Sequence, residues 1–468
     1  MRTDPDKQFN RGILLAVIMI SSFFNPFMGS AVNIALPTIS NDFNMDAVAL
    51  SWIPMAFLMS SAVLLVPLGK LADIWGRRKM LLYGNIFFTL ATLLCGFSVS
   101  GTMLIISRLV QGAGSAMILS SGVAIVISAF PPEQRGRIIG LNTSTVYIGL
   151  SIAPLLGGIL TQTLGWQSVF YINAAAGMLI VAGLVYGVKA EWAEARYDRF
   201  DYIGSVIYVP SMFALMYGFS KLPGKTATGI TVTGLAGLVV FVFWELRVKM
   251  PVLNIGLFRN NKIFAFSNLA ALINYAATFG ITFILSLVLQ NVKGLPPGDT
   301  GLILVTQPAM MAIIASISGR MSDRIDSRIL ASLGMAVIVI GLVFLIFISP
   351  GTSQGYFIMA LLILGFGFGM FSSPNTNSIM SSVDKKYLGI ASATLGTMRL
   401  TGQMLSMAVA AMAIHIFIGD APIKAEYIPG FMQAVHIIFI IFTILCFMGV
   451  FASLARGKKK PAGTEKTA

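Results

Sequence analysis

Arg108 and Arg399 each interrupt a long apolar run. A guanidinium stays charged at any pH a protein meets, and placing it within an apolar run is expensive. Such a residue is by default a candidate for binding an anion or responding to a proton; the alternative is a donor to carbonyls of neighbouring helices. Arg108 opens a polar, small-residue stretch, Gln111, Gly112 and Gly114. The matching acids are missing. Of eighteen Asp and Glu residues none lies near the middle of an apolar run; Asp42, Asp46, Asp73, Asp201, Asp299, Asp323, Asp384 and Asp420 fall at run ends or in turns. The apolar core holds arginine without carboxylate. His415 and His436 are the only side chains with an ordinary pKa near neutrality. They could shuttle protons or be interfacial residues with no such role.

The elements that carry these residues are membrane spans. The chain is 56% hydrophobic and 11% charged over 468 residues, whereas a soluble domain carries about 25% charge. Fourteen apolar runs between residues 12 and 455 approach the roughly 20 residues a span needs. Lipid demands that backbone groups be satisfied within each segment, so the runs predict helices. With both termini cytoplasmic, 26 of the 32 Lys and Arg residues fall on the cytoplasmic side, four in the opposite loops and two within spans. The fold class is therefore an all-α polytopic membrane protein with fourteen transmembrane helices. The net charge of +14 reads as topology plus contact with anionic lipids, not as a nucleic-acid surface. Cys95 and Cys446 lie within apolar runs and read as packing residues. The first run is too long, and too closely preceded by Asp4 and Asp6, for a cleaved signal peptide. There is no G-x-x-x-x-G-K-[ST] phosphate loop and no Cys/His metal cluster. No enzyme activity, cofactor or metal is expected.

The charges of "GKLADIWGRRKM" (69–80) connect spans 2 and 3. A relative, "GRMSDRIDSRIL" (319–330), connects spans 10 and 11, and Gly69 to Asp73 repeats as Gly319 to Asp323 at an offset of 250. A repeat of this size predicts two six-helix halves, residues 12–187 and 263–455. Residues 188–262 form a linker with two extra spans, and 456–468 a basic tail. In the first copy Gly69 and Gly76 suit a tight turn and close helix approach. Asp73 can pair with Arg77 or face a helix N-terminus.

These motifs resemble the major facilitator superfamily, in its fourteen-helix drug/proton antiporter branch of multidrug efflux type. The resemblance rests on "GKLADIWGRRKM", "RLVQGAGSA" (108–116), "GLSIAPLLGG" (149–158), "VNIALP" (32–37) and "GFGFGM…RLTGQ" in spans 12 and 13. It implies a conformational latch at Gly69, Asp73, Gly76, Arg77 and Arg78, with a weaker copy at Gly319 and Asp323, where Asp326 replaces the second glycine. It implies proton coupling or substrate response at Arg108, and Arg399 follows the same logic. It also implies an exporter gate at Gly149, Pro154, Gly157 and Gly158, although small-residue packing would read the same way. The chain departs from the family at Ile74, where a basic residue is usual, at Ala153, and at Met28, which stands where the branch carries a span 1 aspartate.

The other polar residues within spans are neutral: Asn25, Asn33, Gln111, Asn142, Tyr147, Asn274, Tyr275, Gln307, Asn375, Asn377 and Gln403. Several flank prolines, at 25–26, 307–308 and 373–375, where helices are expected to break. Asn33, Gln111, Asn274, Gln307 and Asn377 are the candidates for lining a cavity; the competing reading is interhelical bonding. A cavity with arginine and no acid favours a neutral or anionic small amphipathic substrate, with protons as the coupling ion. Two rivals remain: a facilitator or lipid-like amphiphile translocator without ordinary proton coupling, and a non-transporting membrane receptor or assembly partner.

Overall fold

The computed structural model describes residues 10–193, 199–248, 250–253, 255–322, 324–383, 388–419, 423 and 425–457, and every regular element among them is helical. The helices are α1 (Arg11–Phe43), α2 (Ala47–Trp75), α3 (Arg77–Gly96), α4 (Gly101–Ala129), α5 (Pro132–Leu164), α6 (Gln167–Gly187), α7 (Tyr202–Ser220), α8 (Lys225–Glu245), α9 (Ile255–Asn260), α10 (Lys262–Thr278), α11 (Gly280–Leu287), α12 (Pro297–Leu304), α13 (Thr306–Met321), α14 (Ser327–Ile346), α15 (Gln354–Ser381), α16 (Leu388–Ile418) and α17 (Ile428–Ala455). Two pairs read as single spans, α10 with α11 and α12 with α13. Fourteen spans are then long and apolar enough to cross a membrane, the number expected from the sequence.

Polar residues just outside the apolar runs start many of these helices. Asn10, Asp46, Ser100, Asp201, Asn261 and Asp326 each accept a bond from a backbone N–H in the first turn, satisfying groups a helix leaves orphaned. Contacts between helix ends define two ends of the bundle. The starts of α1 and α3 meet the end of α6, through Asn10 N–H to Gly187 O and Arg78 to Leu184 O. This end also carries the 69–80 and 319–330 segments and is called the basic end below. At the opposite end Trp166 Nε1 donates to Asp42 (2.7 Å) and Lys293 Nζ to Thr352 O (2.7 Å).

The first six spans pack together, α2 and α3 on α4 and α1 on α5; the last six do likewise, α14 on α15 and α17 and α10 on α16. The two groups meet through α5 against α12 and α13, α2 against α16, and α1 against α11. α7 and α8 form a hairpin packed mainly on itself, with α7 touching α2 and α16.

Two local expectations change. Helices run unbroken through Pro26 and Pro374. Of the three polar–proline sites only 307–308 lies at an interruption, where Pro308 sits in the first turn of α13 and the lost N–H had no partner to lose. The other break, at Phe279 between α10 and α11, has no proline; Gly280 N–H is met instead by Ser406 Oγ at 2.9 Å. Residues 69–75 are also helical, so the turn between spans 2 and 3 shrinks to Gly76 at φ +120°.

Candidate functional site

Where the two six-span groups meet, a polar and aromatic cluster crosses the interface. Tyr147 of α5 and Ser372 of α15 share a hydroxyl–hydroxyl bond of 2.7 Å. One turn along α15, Thr376 accepts from Arg399 Nη2 of α16 at 3.0 Å. The Arg399 guanidinium lies 5.7 Å from the Tyr275 ring centroid, and that ring meets Phe368 edge-on at 5.4 Å. Gly402 permits this packing: a Cβ there would lie 2.4 Å from Leu272 O. No carboxylate pairs with Arg399 among the described residues, and its Nε is buried without a partner. The cluster is thus a half-satisfied cation facing aromatic rings.

Arg108 is placed elsewhere. It is fully buried inside the first six spans, donating to Ile53 O of α2 (3.2 Å) and to Gln111 Oε1, with its guanidinium 4.3 Å from the Phe57 ring centroid. Gln111 Nε2 passes the chain on to Thr92 Oγ1 of α3 at 2.6 Å. One Arg108 nitrogen, Nη2, has no partner. The structure closes α2 and α3 over Arg108, whose partners all belong to the first six spans.

α5 presents two small-residue faces. A Cβ on Gly149 would lie 2.5 Å from Phe23 O, and one on Gly157 2.8 Å from Ala31 Cβ, so these residues dock α5 on α1. Gly158 and Pro154 face the other group of spans. A Cβ on Gly158 would lie 2.4 Å from Pro297 O, and Pro154 O would be 2.2 Å from a Cβ on Gly301. Gln162 adds a bond from Gly298 N–H at 3.1 Å, and Gln290 Nε2 donates to Ile34 O at 3.0 Å.

At the basic end Arg77 is buried and bound to Asp73 (Nε to Oδ1 2.8 Å), Ala124 O and Ser128 Oγ. Arg78 donates to Val188 O and Leu184 O at the end of α6. Glu191, beyond α6, reciprocates by accepting from Arg78 N–H (2.9 Å) and Lys79 N–H (3.2 Å) at the start of α3. Each helix end therefore receives the charge its dipole favours. Gly76 is required by its positive φ, and a Cβ there would also lie 2.4 Å from the Glu191 carboxyl, the far end of an exposed side chain that would have to move. Gly69 has no such need, its nearest neighbour being Ser120 Cβ at 3.8 Å.

In the second copy Asp323 lies outside the described residues, and Gly319 packs against Ser373 Oγ. Asp326 caps α14 through Arg328 N–H at 2.8 Å. The buried cation here is Arg456, just beyond α17, which donates to Ser453 O (2.8 Å), Ser453 Oγ and Ser378 Oγ (3.4 Å). Burial pushes its guanidinium pKa down to about 10, opposed by the nearby Asp326 charge, so it stays charged at neutral pH.

The sequence profile of the Major Facilitator Superfamily matches residues 18–407, and again 268–468. This chain belongs to that superfamily. It is 31% identical over 408 residues to the multidrug resistance protein Stp of Mycobacterium tuberculosis, covering 86% of this chain and 75% of that one. It is 28% identical to the methylenomycin A resistance protein of Bacillus subtilis (86% and 88% covered) and to the riboflavin transporter RibZ of Clostridioides difficile (83% and 84%). Among solved structures the human organic anion transporter MFSD10 aligns with a TM-score of 0.64 at 14% identity, covering 94% of this chain and 99% of that one. A bacterial homolog of the human lysosomal transporter Spinster, in an inward-facing and occupied conformation, aligns at 0.63 and 16%, covering 97% and 99%. The chain is a multi-pass membrane transporter with small-molecule substrates, not an enzyme.

Within this major facilitator the cavity candidates divide. Asn33 and Asn274 are buried and hold polar atoms with no partner, Oδ1 of Asn33 and both amide atoms of Asn274. Gln111 is committed to Arg108 and Thr92. Gln307 is half-buried, with its carbonyl 2.4 Å from a Cβ on Gly365. Asn377 departs from expectation: it is exposed near the basic end, donating to Ser322 Oγ at 3.0 Å. His436 Nε2 donates to Ile348 O at 2.8 Å, a structural bond at the opposite end. Sequence reasoning passed over Glu191 and Arg456. Glu191 had a signal, an acid following the α6 run; Arg456 was hidden among the cations of the tail.

Proposed function

We propose that this protein exports small amphipathic molecules, neutral or anionic, by alternating access. Residues 12–187 and 263–455 would rock about the Tyr147–Ser372–Arg399 cluster, with 188–262 as linker and extra spans and 456–468 as a basic tail. The basic end faces the cytoplasm of a plasma membrane, both termini inside, where 26 of 32 cations would also meet anionic lipid. The Asp73–Arg77 and Arg456 constellations latch the basic end, and Gly158 with Pro154 gates the opposite end against α12.

The observation that carries the substrate class is Arg399, an unneutralised guanidinium at the joint with one donor unspent. A cationic substrate would be repelled there, whereas a carboxylate, a phenolate or a carbonyl-rich ring would complete its bonding. Relatives named for riboflavin and, by fold, for organic anions are compatible with that chemistry.

Proton antiport is the energy source the family resemblance favours. The absence of any carboxylate near the middle of a span favours a second reading, a facilitator or exchanger without ordinary proton coupling. Purified protein in liposomes with an acidic lumen separates the two. Internal pH is followed as amphiphiles of different charge are added. Proton release that depends on substrate supports antiport; substrate movement without proton flux supports the second reading. Arg399→Gln should lower transport of an anionic amphiphile at least 10-fold and spare a neutral one. Equal loss of both, or no loss, would remove Arg399 from substrate recognition.

A further inference from the structure

Asp201 and Glu245 are buried side by side at the foot of the α7–α8 hairpin, 8% and 4% exposed. Asp201 caps α7, accepting from Gly204 N–H at 2.9 Å and from Trp244 Nε1 at 3.1 Å. Glu245 accepts from Leu253 N–H through Oε2 at 3.0 Å and from Val252 N–H through Oε1 at 3.4 Å. It thereby fastens the chain that leads from α8 toward the last six spans. Both carboxyls converge over Gly204, where a Cβ would lie 2.3 Å from Asp201 Oδ2 and 2.7 Å from Glu245 Oε1. The two oxygens crowd the same point above Gly204. One turn further along the same face of α7, the Tyr208 hydroxyl is buried without a partner.

Among the described residues no cation offsets this pair. Arg199 and Arg247, the flanking cations, are exposed. Besides its hairpin partner α8, whose other charge, Lys225, is at the far end, α7 packs on α2, capped by Asp46 and carrying Lys70 and Asp73, and on α16, with Arg399 and His415; among the described residues the charged neighbour of Glu245 is Asp201.

We propose that Asp201 and Glu245 form a proton-binding site, holding one proton between them, and that its loss releases the linker from the hairpin. Two carboxylates this close, out of water and without a cation, do not both ionise readily. The proton belongs on Glu245 Oε1, whose backbone bond is long, donating to Asp201 Oδ2. Asp201 takes the accepting side, its oxygens already receiving the Gly204 and Trp244 N–H donors. When the proton leaves, two like charges face each other across Gly204. Asp201 is fixed as the cap of α7, so Glu245 swings away and gives up the Val252 and Leu253 amides. The linker is then held below the pair's second ionisation and freed above it, whichever ion drives transport.

The test uses the full-length protein in lipid nanodiscs. Infrared spectroscopy should show a protonated carboxyl stretch that disappears as pH rises, is absent in Glu245→Gln, and is shifted in Asp201→Asn. Spin labels at Tyr202→Cys and Met250→Cys, both exposed, read the linker. Their distance distribution should lengthen and broaden with rising pH in the otherwise native chain. It should stay short at every pH in Glu245→Gln, whose amide can donate to Asp201 and still accept from Leu253. No carboxyl band assignable to the pair, or a linker distance indifferent to pH, would overturn the proposal, as would a Glu245→Gln protein that still follows pH. Should that variant fail to fold, the native band compared with Asp201→Asn decides the question alone.

Discussion

Ser128 and Ser378 stand 250 residues apart, and each hydroxyl accepts from the guanidinium of a buried arginine, Arg77 in one case and Arg456 in the other. The offset is the one that maps Gly69 onto Gly319, so the serines are equivalent in the internal repeat. The arginines are not: the position matching Arg77 is Ser327, and the second cation arrives from the far end of the chain. The repeat conserves the need for a cation at this end of the bundle and not its source.

Removing either cation should therefore affect transport alike. Arg456→Ala leaves the Ser378 hydroxyl without its donor, while Ser453 Oγ keeps the bond from Ser332 Oγ (2.8 Å), a cost of about 1–3 kcal/mol. Arg77→Ala also breaks the bond to Asp73, but that carboxylate is 35% exposed, so the ion pair itself adds only about 1 kcal/mol or less. Both variants should lower the maximal transport rate severalfold, and lysine should not restore it, because an ammonium lacks the planar fork that spans two acceptors. Initial rates in liposomes, set against unfolding midpoints, check this. A normal rate in Arg456→Ala would confine that residue to packing.

Glu191 and Gly76 form a second testable pair. Glu191→Ala removes the cap on α3 and should cost about 1 kcal/mol. Gly76→Ala should cost more, since the new Cβ meets both a positive φ and the Glu191 carboxyl. The double variant relieves the overlap and leaves the backbone strain, so it should be less unstable than the two single costs added together. Thermal unfolding of the four proteins closes that cycle. Strict additivity would show that the carboxyl does not sit over Gly76.

The number of spans was legible because lipid leaves the backbone no alternative to a helix and apolar length counts the crossings. The Asp73–Arg77 contact was legible because a single tight turn at Gly76 keeps two charges four residues apart within reach of each other, although Gly69 was assigned to that turn and proved helical. What lay beyond reach was tertiary. Nothing in the span order says that α2 and α3 enclose Arg108 while Arg399 stays at the joint, or that Asn377 ends up near the basic end. Arg456 looked like one tail cation among five because its burial depends on Ser378, 78 residues away.

The two faces of α5 separate packing from gating. Gly149→Ala and Gly158→Ala both press a methyl onto a backbone carbonyl closer than 3 Å, so both should destabilise, by about 1–3 kcal/mol. Only Gly158 opposes α12. Its variant should also hold the opposite end open and raise labelling of a cysteine placed at Gly298, whereas Gly149→Ala should leave that labelling unchanged. Gly122, with nothing within 4 Å of its Cβ, is the silent control. Equal labelling in the Gly149 and Gly158 variants would show that the α5–α12 contact does not close that end.

Tyr147→Phe tests whether the cluster at the joint sets the balance between conformations. The substitution removes one hydroxyl bond across the interface, to Ser372, and keeps the ring. A hydrogen bond of this kind contributes about 1 kcal/mol net, roughly fivefold in an equilibrium constant. If the bond holds the two groups of spans together in the form described here, its loss shifts the population by that factor toward the form in which they part. Ser372→Ala should match it, and the double variant should add nothing further, because both deletions remove the same contact. Distances between labels on α5 and α15, measured without substrate, read the population directly. A shift in transport rate without a shift in those distances would place Tyr147 in contact with the substrate rather than in the joint.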